Sequence, residues 1–212
     1  RLAYRAKKGD KWLVVLDGKP GPEFDRIGEF VFSPDAKRAA YSAKKGKTWI
    51  VILDGRPGPA SGWVSDLVFS PDGKRFAYKA GTRDKWRVAL DGKPGPAFDA
   101  SARYMPMPVY FSYDGKRILY EGRKDGKSFA LLNGRPGPKF DEIGTHVHPF
   151  SPDSKRVAYK ARRGDKWFVV LDGQLGAPFD AIRVGPVFRR DGGTEYLAIK
   201  GRFLLRVIVP RR

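Results

Sequence analysis

The sequence predicts an all-β fold assembled from one repeated antiparallel unit, on three observations. A ten-residue block recurs: Phe32 to Tyr41 reads F-S-P-D-A-K-R-A-A-Y, Phe69 to Tyr78 reads F-S-P-D-G-K-R-F-A-Y, Phe111 to Tyr120 reads F-S-Y-D-G-K-R-I-L-Y, and Phe150 to Tyr159 reads F-S-P-D-S-K-R-V-A-Y. Each is followed by an apolar run that ends in a turn, first seen as K-W-L-V-V-L-D-G-K-P-G-P from Lys11 to Pro22, with relatives starting at Thr48, Lys85, Ser128 and Lys166. The aligned tyrosines Tyr4, Tyr41, Tyr78, Tyr120 and Tyr159 are spaced by 37, 37, 42 and 39 residues. A fixed period of that size is the signature of a repeat architecture.

In the unit around Tyr78, the first strand is expected over Asp66 to Ser70 and the second over Lys74 to Ala80. The Pro71-Asp72-Gly73 turn joins them, since Asp bonds the local backbone and Gly tolerates positive φ. The third strand is Lys85 to Leu90, whose sister Trp167-Phe168-Val169-Val170-Leu171 is apolar on both faces and so reads as sandwiched between layers. Asp91-Gly92 makes a tight turn into Lys93-Pro94-Gly95-Pro96, and a short fourth strand lies around Phe98-Asp99. Proline there removes ladder donors, which places this strand at the sheet edge. Four short antiparallel strands per unit of about forty residues are what a β-propeller blade needs.

The F-S-P-D-G-K-R-x-A-Y block resembles the repeat of TolB-like propellers, relatives of the WD-repeat fold. It covers nearly the whole chain, with a decayed fifth copy at Phe188-Arg189-Arg190-Asp191-Gly192, while the L-D-G-K/R-P-G-P block departs from that pattern. The resemblance implies six blades, a binding role and a periplasmic or extracellular location. One domain over 1–212 is expected, with repeats near 1–31, 32–68, 69–110, 111–149, 150–187 and 188–212. The first piece supplies second, third and fourth strands (Leu2 to Ala6, Trp12 to Leu16, around Phe24). The last supplies first, second and third (Val187, Tyr196 to Ile199, Phe203 to Val209). A five-bladed ring is the alternative. Either way an unpaired edge is expected, and such edges invite pairing with another chain. Trp12, Trp49, Trp86 and Trp167, with Phe129 in the fourth copy, are expected to be buried between blades.

Arg1 aligns with Arg38, Arg75, Arg117 and Arg156, so the sequence opens inside a repeat. With no Cys there is no disulfide, thiolate nucleophile or Cys-based zinc site, and no apolar run is long enough to span a membrane as a helix. The repeated aspartates Asp35, Asp72, Asp114 and Asp153, and Asp17, Asp54, Asp91 and Asp172, are expected to be structural. Catalysis needs two groups converging at one place, and symmetric copies are spread apart. His146 and His148 alternate on one strand face as a half-site for zinc or copper without a third ligand, so no metal and no cofactor is expected.

Departures from the repeat point to a binding face between fourth and first strands: Trp63, then Arg103, Tyr104 and Met105, then His146 and His148, then Arg183. The charge of +19 concentrates at the hairpin tips as a basic crown of Lys7, Lys8, Lys44, Lys45, Arg83, Arg123, Lys124, Arg162 and Arg163. Lys19, Arg56, Lys93 and Arg135 carry charge on the opposite face. The expected function is a non-enzymatic protein-interaction or assembly module, self-associating through open edges or binding a protein partner. A polyanion-binding module (nucleic acid, acidic polysaccharide or anionic envelope surface) is the alternative, and a propeller-type hydrolase or lyase a third.

Overall fold

The computed structural model describes residues 1–100, 107–145 and 147–211. The chain divides into two compact units, Arg1–Ala102 and Arg103–Arg212. In the first unit, β1 (Ala3–Lys8), β2 (Lys11–Leu16) and β3 (Lys19–Pro20) form one sheet. The next holds β4 (Arg26–Phe32), β5 (Ala39–Lys45), β6 (Thr48–Leu53) and β7 (Arg56–Pro57). A third holds β8 (Trp63–Phe69), β9 (Phe76–Gly81), β10 (Lys85–Leu90), β11 (Lys93–Pro94) and β12 (Phe98–Asp99).

The second unit repeats the pattern. Its sheets are β13 (Tyr110–Phe111), β14 (Ile118–Lys124), β15 (Lys127–Leu132) and β16 (Arg135–Pro136), then β17 (Glu142–Gly144), β18 (Ala158–Arg163), β19 (Lys166–Leu171) and β20 (Gln174–Leu175), then β21 (Ala181–Phe188), β22 (Thr194–Lys200) and β23 (Phe203–Val209). Consecutive strands pair antiparallel, as β1 with β2 and β18 with β19. Among the described residues there are six sheets and no helix, which fits the expected six blades, the first sheet lacking an inner strand and the last an outer one.

Each strand boundary follows from turn chemistry. The second strand of the third sheet starts at Phe76, two residues later than expected, because Ser70 to Arg75 closes on itself. The Ser70 amide donates to the Arg75 carbonyl at 3.0 Å, the Arg75 amide donates to Ser70 Oγ at 2.9 Å, and Ser70 Oγ donates to Asp72 Oδ1. The same box closes around Ser33 and Asp35, Ser112 and Asp114, and Ser151 and Asp153. At the later turn Asp17 and Gly18 have φ of 51° and 78°, the two left-handed residues of a type I′ hairpin. That tight reversal pairs Lys19-Pro20 directly with Val15-Leu16, so the fourth strand comes in two pieces, the K-P pair and a bridge from Phe24 back to Trp12.

Successive sheets pack through the repeat tyrosine. Tyr41 and Ala43 on β5 cluster with Val14 and Phe24 of the sheet before, Tyr78 and Ala80 on β9 with Ala40 and Val51, and Tyr159 and Ala161 on β18 with Leu119, Ala130 and Phe140. Gly21 is required at this contact. A Cβ there would sit 3.1 Å from the Val14 carbonyl oxygen and 3.6 Å from the Tyr41 hydroxyl, so the P-G-P segment lies flat under the tyrosine only without a side chain.

The repeat arginine fastens one sheet to the next. Arg38 donates from Nε to Asp54 Oδ2 of its own sheet at 2.8 Å and from Nη1 to the Lys74 carbonyl of the following turn at 2.8 Å, and its guanidinium lies over the Phe69 ring, 5.3 Å from the centroid. Arg1 does the same with Asp17, Lys37 and Phe32, and Arg156 with Asp172, Gly192 and Phe188. Arg117 reaches the Ser154 and Lys155 carbonyls and Phe150. The Arg of the repeated block, the Phe and the turn carbonyls of the next block, and the Asp of the later Asp-Gly turn are therefore partners in one contact.

The tryptophans do not share one environment, contrary to expectation. Trp86 is 2% exposed, packed on Phe98 at 5.2 Å between ring centroids, and Phe129 is also buried. Trp49 and Trp167 are half-buried, and Trp12 is 36% exposed. The cause is the inner strand. Trp49 lies over Gly28 of β4, where an added Cβ would meet the indole at 3.0 Å, whereas among the described residues the sheet of Trp12 has no first strand for it to lie over.

Two measurements check this account. Trp86→Ala is expected to cost about 3–5 kcal/mol in urea denaturation and Trp12→Ala less than about 1 kcal/mol. Arg38→Lys, which keeps the charge but cannot bond Asp54 and Lys74 together, is expected to lose nearly as much as Arg38→Ala, about 1–2 kcal/mol. Full retention of stability in the lysine variant would reduce the contact to simple charge attraction.

Candidate functional site

The hairpin tips are less freely basic than their sequence. Lys8 pairs with Glu23 at 2.9 Å, Arg162 with Glu142 at 3.3 Å, Arg163 lies over the Phe140 ring, and Arg123 donates to the Gly126 carbonyl at 2.9 Å. Lys44 is half-buried, leaving Lys7, Lys45, Arg83 and Lys124 exposed and without an ion pair among the described residues. The tips are also tied down. Asp25 accepts from Lys11 Nζ of its own sheet and, at 2.6 Å, from the Gly46 amide at the tip of the next. Asp141 repeats this with Lys127 and Gly164, and Asp180 with Lys166 and Gly201. By contrast Lys19, Arg56, Lys93 and Arg135, each just after the Asp-Gly or Asn-Gly turn, are exposed and form no ion pair among the described residues.

The divergent residues are placed differently from expectation. Trp63 is not in a connection but opens β8, paired with Gly81, its Nε1 donating to the Thr82 carbonyl at 2.8 Å. Arg183 lies exposed within β21, beside a register shift. Both segments continue as strand because their apolar residues still pair with the second strand. His148 is half-buried among Tyr110, Tyr113 and Phe150, with centroid distances of 5.4, 4.5 and 5.9 Å. Burial pushes its pKa below the ordinary 6.5, so the imidazole is neutral at pH 7. Arg103, Tyr104, Met105 and His146 lie outside the described residues. Among the described residues no group of three or more potential metal ligands converges.

One set of residues escaped the sequence reading. The position after each repeat tyrosine is polar inside an otherwise apolar strand: Arg5, Ser42, Lys79, Glu121 and Lys160. Ser42, Lys79 and Glu121 are buried. Lys79 Nζ meets Asp66 Oδ2 at 2.6 Å and faces the Trp86 ring, Glu121 accepts the Met107 amide at 3.0 Å, and Ser42 Oγ accepts the Glu29 amide at 2.9 Å. Lys160 is half-buried over the Trp167 ring at 4.8 Å, and desolvation lowers its pKa. Burying such groups is costly unless each finds a specific partner. The signal was available as a polar residue at a fixed repeat position in an otherwise apolar strand.

Six antiparallel sheets of three to five short strands, each packed on its neighbour within a unit through Tyr, Ala and the arginine contact, decide the fold. The chain has a β-propeller fold. No family model and no curated protein matches the sequence. Among solved structures, it is similar to a eukaryotic initiation factor at 12% identity, over 98% of this chain and 65% of that one, with a TM-score of 0.50. It is also similar to TolB from Acinetobacter baumannii, at 18% identity over 99% and 63% of the two chains and a TM-score of 0.39. A third is the β-propeller domain of the trilobed protease from Pyrococcus furiosus, at 14% identity over 98% and 83% and a TM-score of 0.43. The likeness to the initiation factor bears on fold alone, and the chain spans less than two thirds of the first two structures.

The tip and turn carboxylates make the fold acid-sensitive. Hydrogen bonds from Lys11, Lys127 and Lys166, then from a backbone amide, hold Asp25, Asp141 and Asp180 below the usual carboxylate range. Serine hydroxyls, then a backbone amide, do the same for Asp35, Asp72, Asp114 and Asp153. Depressed native pKa values give stability that is complete above the unfolded carboxylate value of about 4 and is lost as pH falls through the native values. His148 has the same sign and adds a smaller loss that begins as pH falls below its ordinary value of 6.5. Thermal melts are expected to be level from about pH 7 to 8, to slip slightly below about 6.5, and to fall steeply below about 4. A Tm unchanged down to pH 3 would mean that these bonds do not hold the fold.

Proposed function

We propose that this protein is a non-enzymatic β-propeller module that works by binding and assembly, with the open edge of β23 as its contact element and a second copy as its partner. One observation carries the reading. Among the described residues β23 is hydrogen-bonded on one side only, by β22, and it exposes Phe203 (61%), Leu204 (64%), Leu205 and Ile208. The equivalent third strands β2, β6, β10, β15 and β19 each carry a K-P-type piece and a bridge along that edge. An apolar strand with unpaired amides and carbonyls is a template for another strand. The non-enzymatic part is supported by the repeated carboxylates, which are spent on turns and sheet-to-sheet bonds.

Sedimentation over a concentration series is expected to show reversible association, weakened at least about tenfold by Leu204→Lys with Ile208→Lys while the Tm holds. A monomer at every concentration would remove the assembly reading. A second reading, polyanion binding, is favoured by the net charge of +19 and by the exposed cations Lys19, Arg56, Lys93 and Arg135, which form no ion pair among the described residues.

A further inference from the structure

We infer that the grooves between consecutive sheets of the first unit are subsites for an anionic polysaccharide, one saccharide to a groove; the inference rests on the polyanion reading and moves its contact from the hairpin tips to the D-G-[K/R]-P-G-P rim. Two grooves carry it. One, of about 370 Å³, is walled by Val14, Pro20, Pro22, Phe30 and Tyr41 with Lys19 at its edge. The other, of about 590 Å³, has Val51, Pro57, Pro59, Tyr78 and Arg56 at the matching positions and Phe76 where the first has Ala39. Both fall in the size range of small-ligand sites.

The chemistry of each groove is divided. Prolines and aliphatic side chains give an apolar wall that suits the C–H face of a sugar ring. The hydroxyls of Tyr41 and Tyr78 abut Gly21 and Gly58, and burial raises their pKa, so each is a neutral O–H able to donate and accept. The nearby guanidinium groups of Arg1 and Arg38 are committed to Asp17 and Asp54 and to backbone carbonyls. The exposed Lys19 and Arg56 are therefore the cations left for a ligand carboxylate or sulfate.

Because the two grooves share the valine, both prolines, the tyrosine and the rim cation (Val14 and Val51, Pro20 and Pro57, Pro22 and Pro59, Tyr41 and Tyr78, Lys19 and Arg56), a ligand that fills both must itself repeat, and two weak contacts then reinforce each other. Nucleic acid fits less well. Stacking needs an open aromatic face, and Tyr41 and Tyr78 are 8% and 4% exposed. A related groove of about 500 Å³ in the second unit, under Tyr196, has Gln174 and Leu175 at the Lys-Pro positions and is lined by Lys155, Arg156 and Arg211, of which Arg156 pairs with Asp172 and Arg211 with Asp153. Its ligand set differs, and the test below leaves it unchanged.

The experiment is calorimetric titration of the intact protein with alginate (uronate), dextran sulfate (sulfate ester) and single-stranded DNA at about 50 and 150 mM salt. Two double variants are compared, each with two charge reversals at exposed positions: Lys19→Glu with Arg56→Glu at the grooves, and Lys7→Glu with Lys45→Glu at the tips. The groove variant is expected to weaken polysaccharide binding at least about tenfold and the tip variant less than about threefold. Preference for alginate or for dextran sulfate assigns the anionic group. Equal losses in both variants overturn the groove assignment and leave the polyanion reading standing. DNA bound as tightly, with the same dependence on Lys19 and Arg56, overturns the saccharide in favour of a phosphate backbone. No binding to any of the three overturns both.

Discussion

The fold depends on a guanidinium that satisfies two sheets at once. Arg38 meets the Asp54 carboxylate of its own hairpin, the Gly73 and Lys74 carbonyls of the next turn, and the Phe69 ring. The planar fork suits this because it presents several donors in fixed directions and a flat surface for the ring. The constraint runs backwards into sequence. The turn must be tight enough to aim two carbonyls outward, so serine and aspartate close it from within, and the position after the aspartate is left-handed, with Ala36 at φ 55°, Gly73 at 70° and Ser154 at 61°.

At the far end of the same strands the aspartate between the tips performs a comparable service with less reach. Asp25 joins Lys11 to the Gly46 amide, so the hairpin of one sheet is held against the loop of the sheet before. Between these two polar fastenings lies the apolar contact of Tyr and Ala with the preceding strand. Polar bonds at the strand ends fix register, and the buried middle supplies most of the driving force, since a net hydrogen bond is worth only about 1 kcal/mol.

The repeat, the turn residues and the four-strand unit were legible in the sequence because each depends on local chemistry: Asp-Gly for a type I′ turn, alternation for a strand, Pro for an edge. What was not legible depends on neighbours. The exposure of Trp12 follows from a strand absent beside it, and the two-piece fourth strand from how sharply Asp17-Gly18 reverses the chain. Trp63 and Arg183 read as loop because they break the pattern, yet their backbones continue the ladder. The burial of Lys79 was not legible because its partner Asp66 lies on the paired strand, 13 residues away in sequence. The pairing of Lys8 and Arg162 at the tips was hidden for the same reason, since Glu23 and Glu142 are remote in sequence and adjacent in space.

The lysine and aspartate of the tip contact stand 14 residues apart at Lys11 and Asp25, Lys85 and Asp99, and Lys127 and Asp141, and Lys166 and Asp180 follow the same spacing. The second repeat has Thr48 and Gly62 at these two positions, so both charges are missing together. Repeats of this kind exchange segments readily because their sequences are alike. A crossover between the second repeat and any sister that falls inside this short window would leave a lysine without its carboxylate or a carboxylate without its lysine. One that falls outside it would carry the pair intact. The contact thus sets a physical limit on which pieces of the array can be interchanged without stranding a charge.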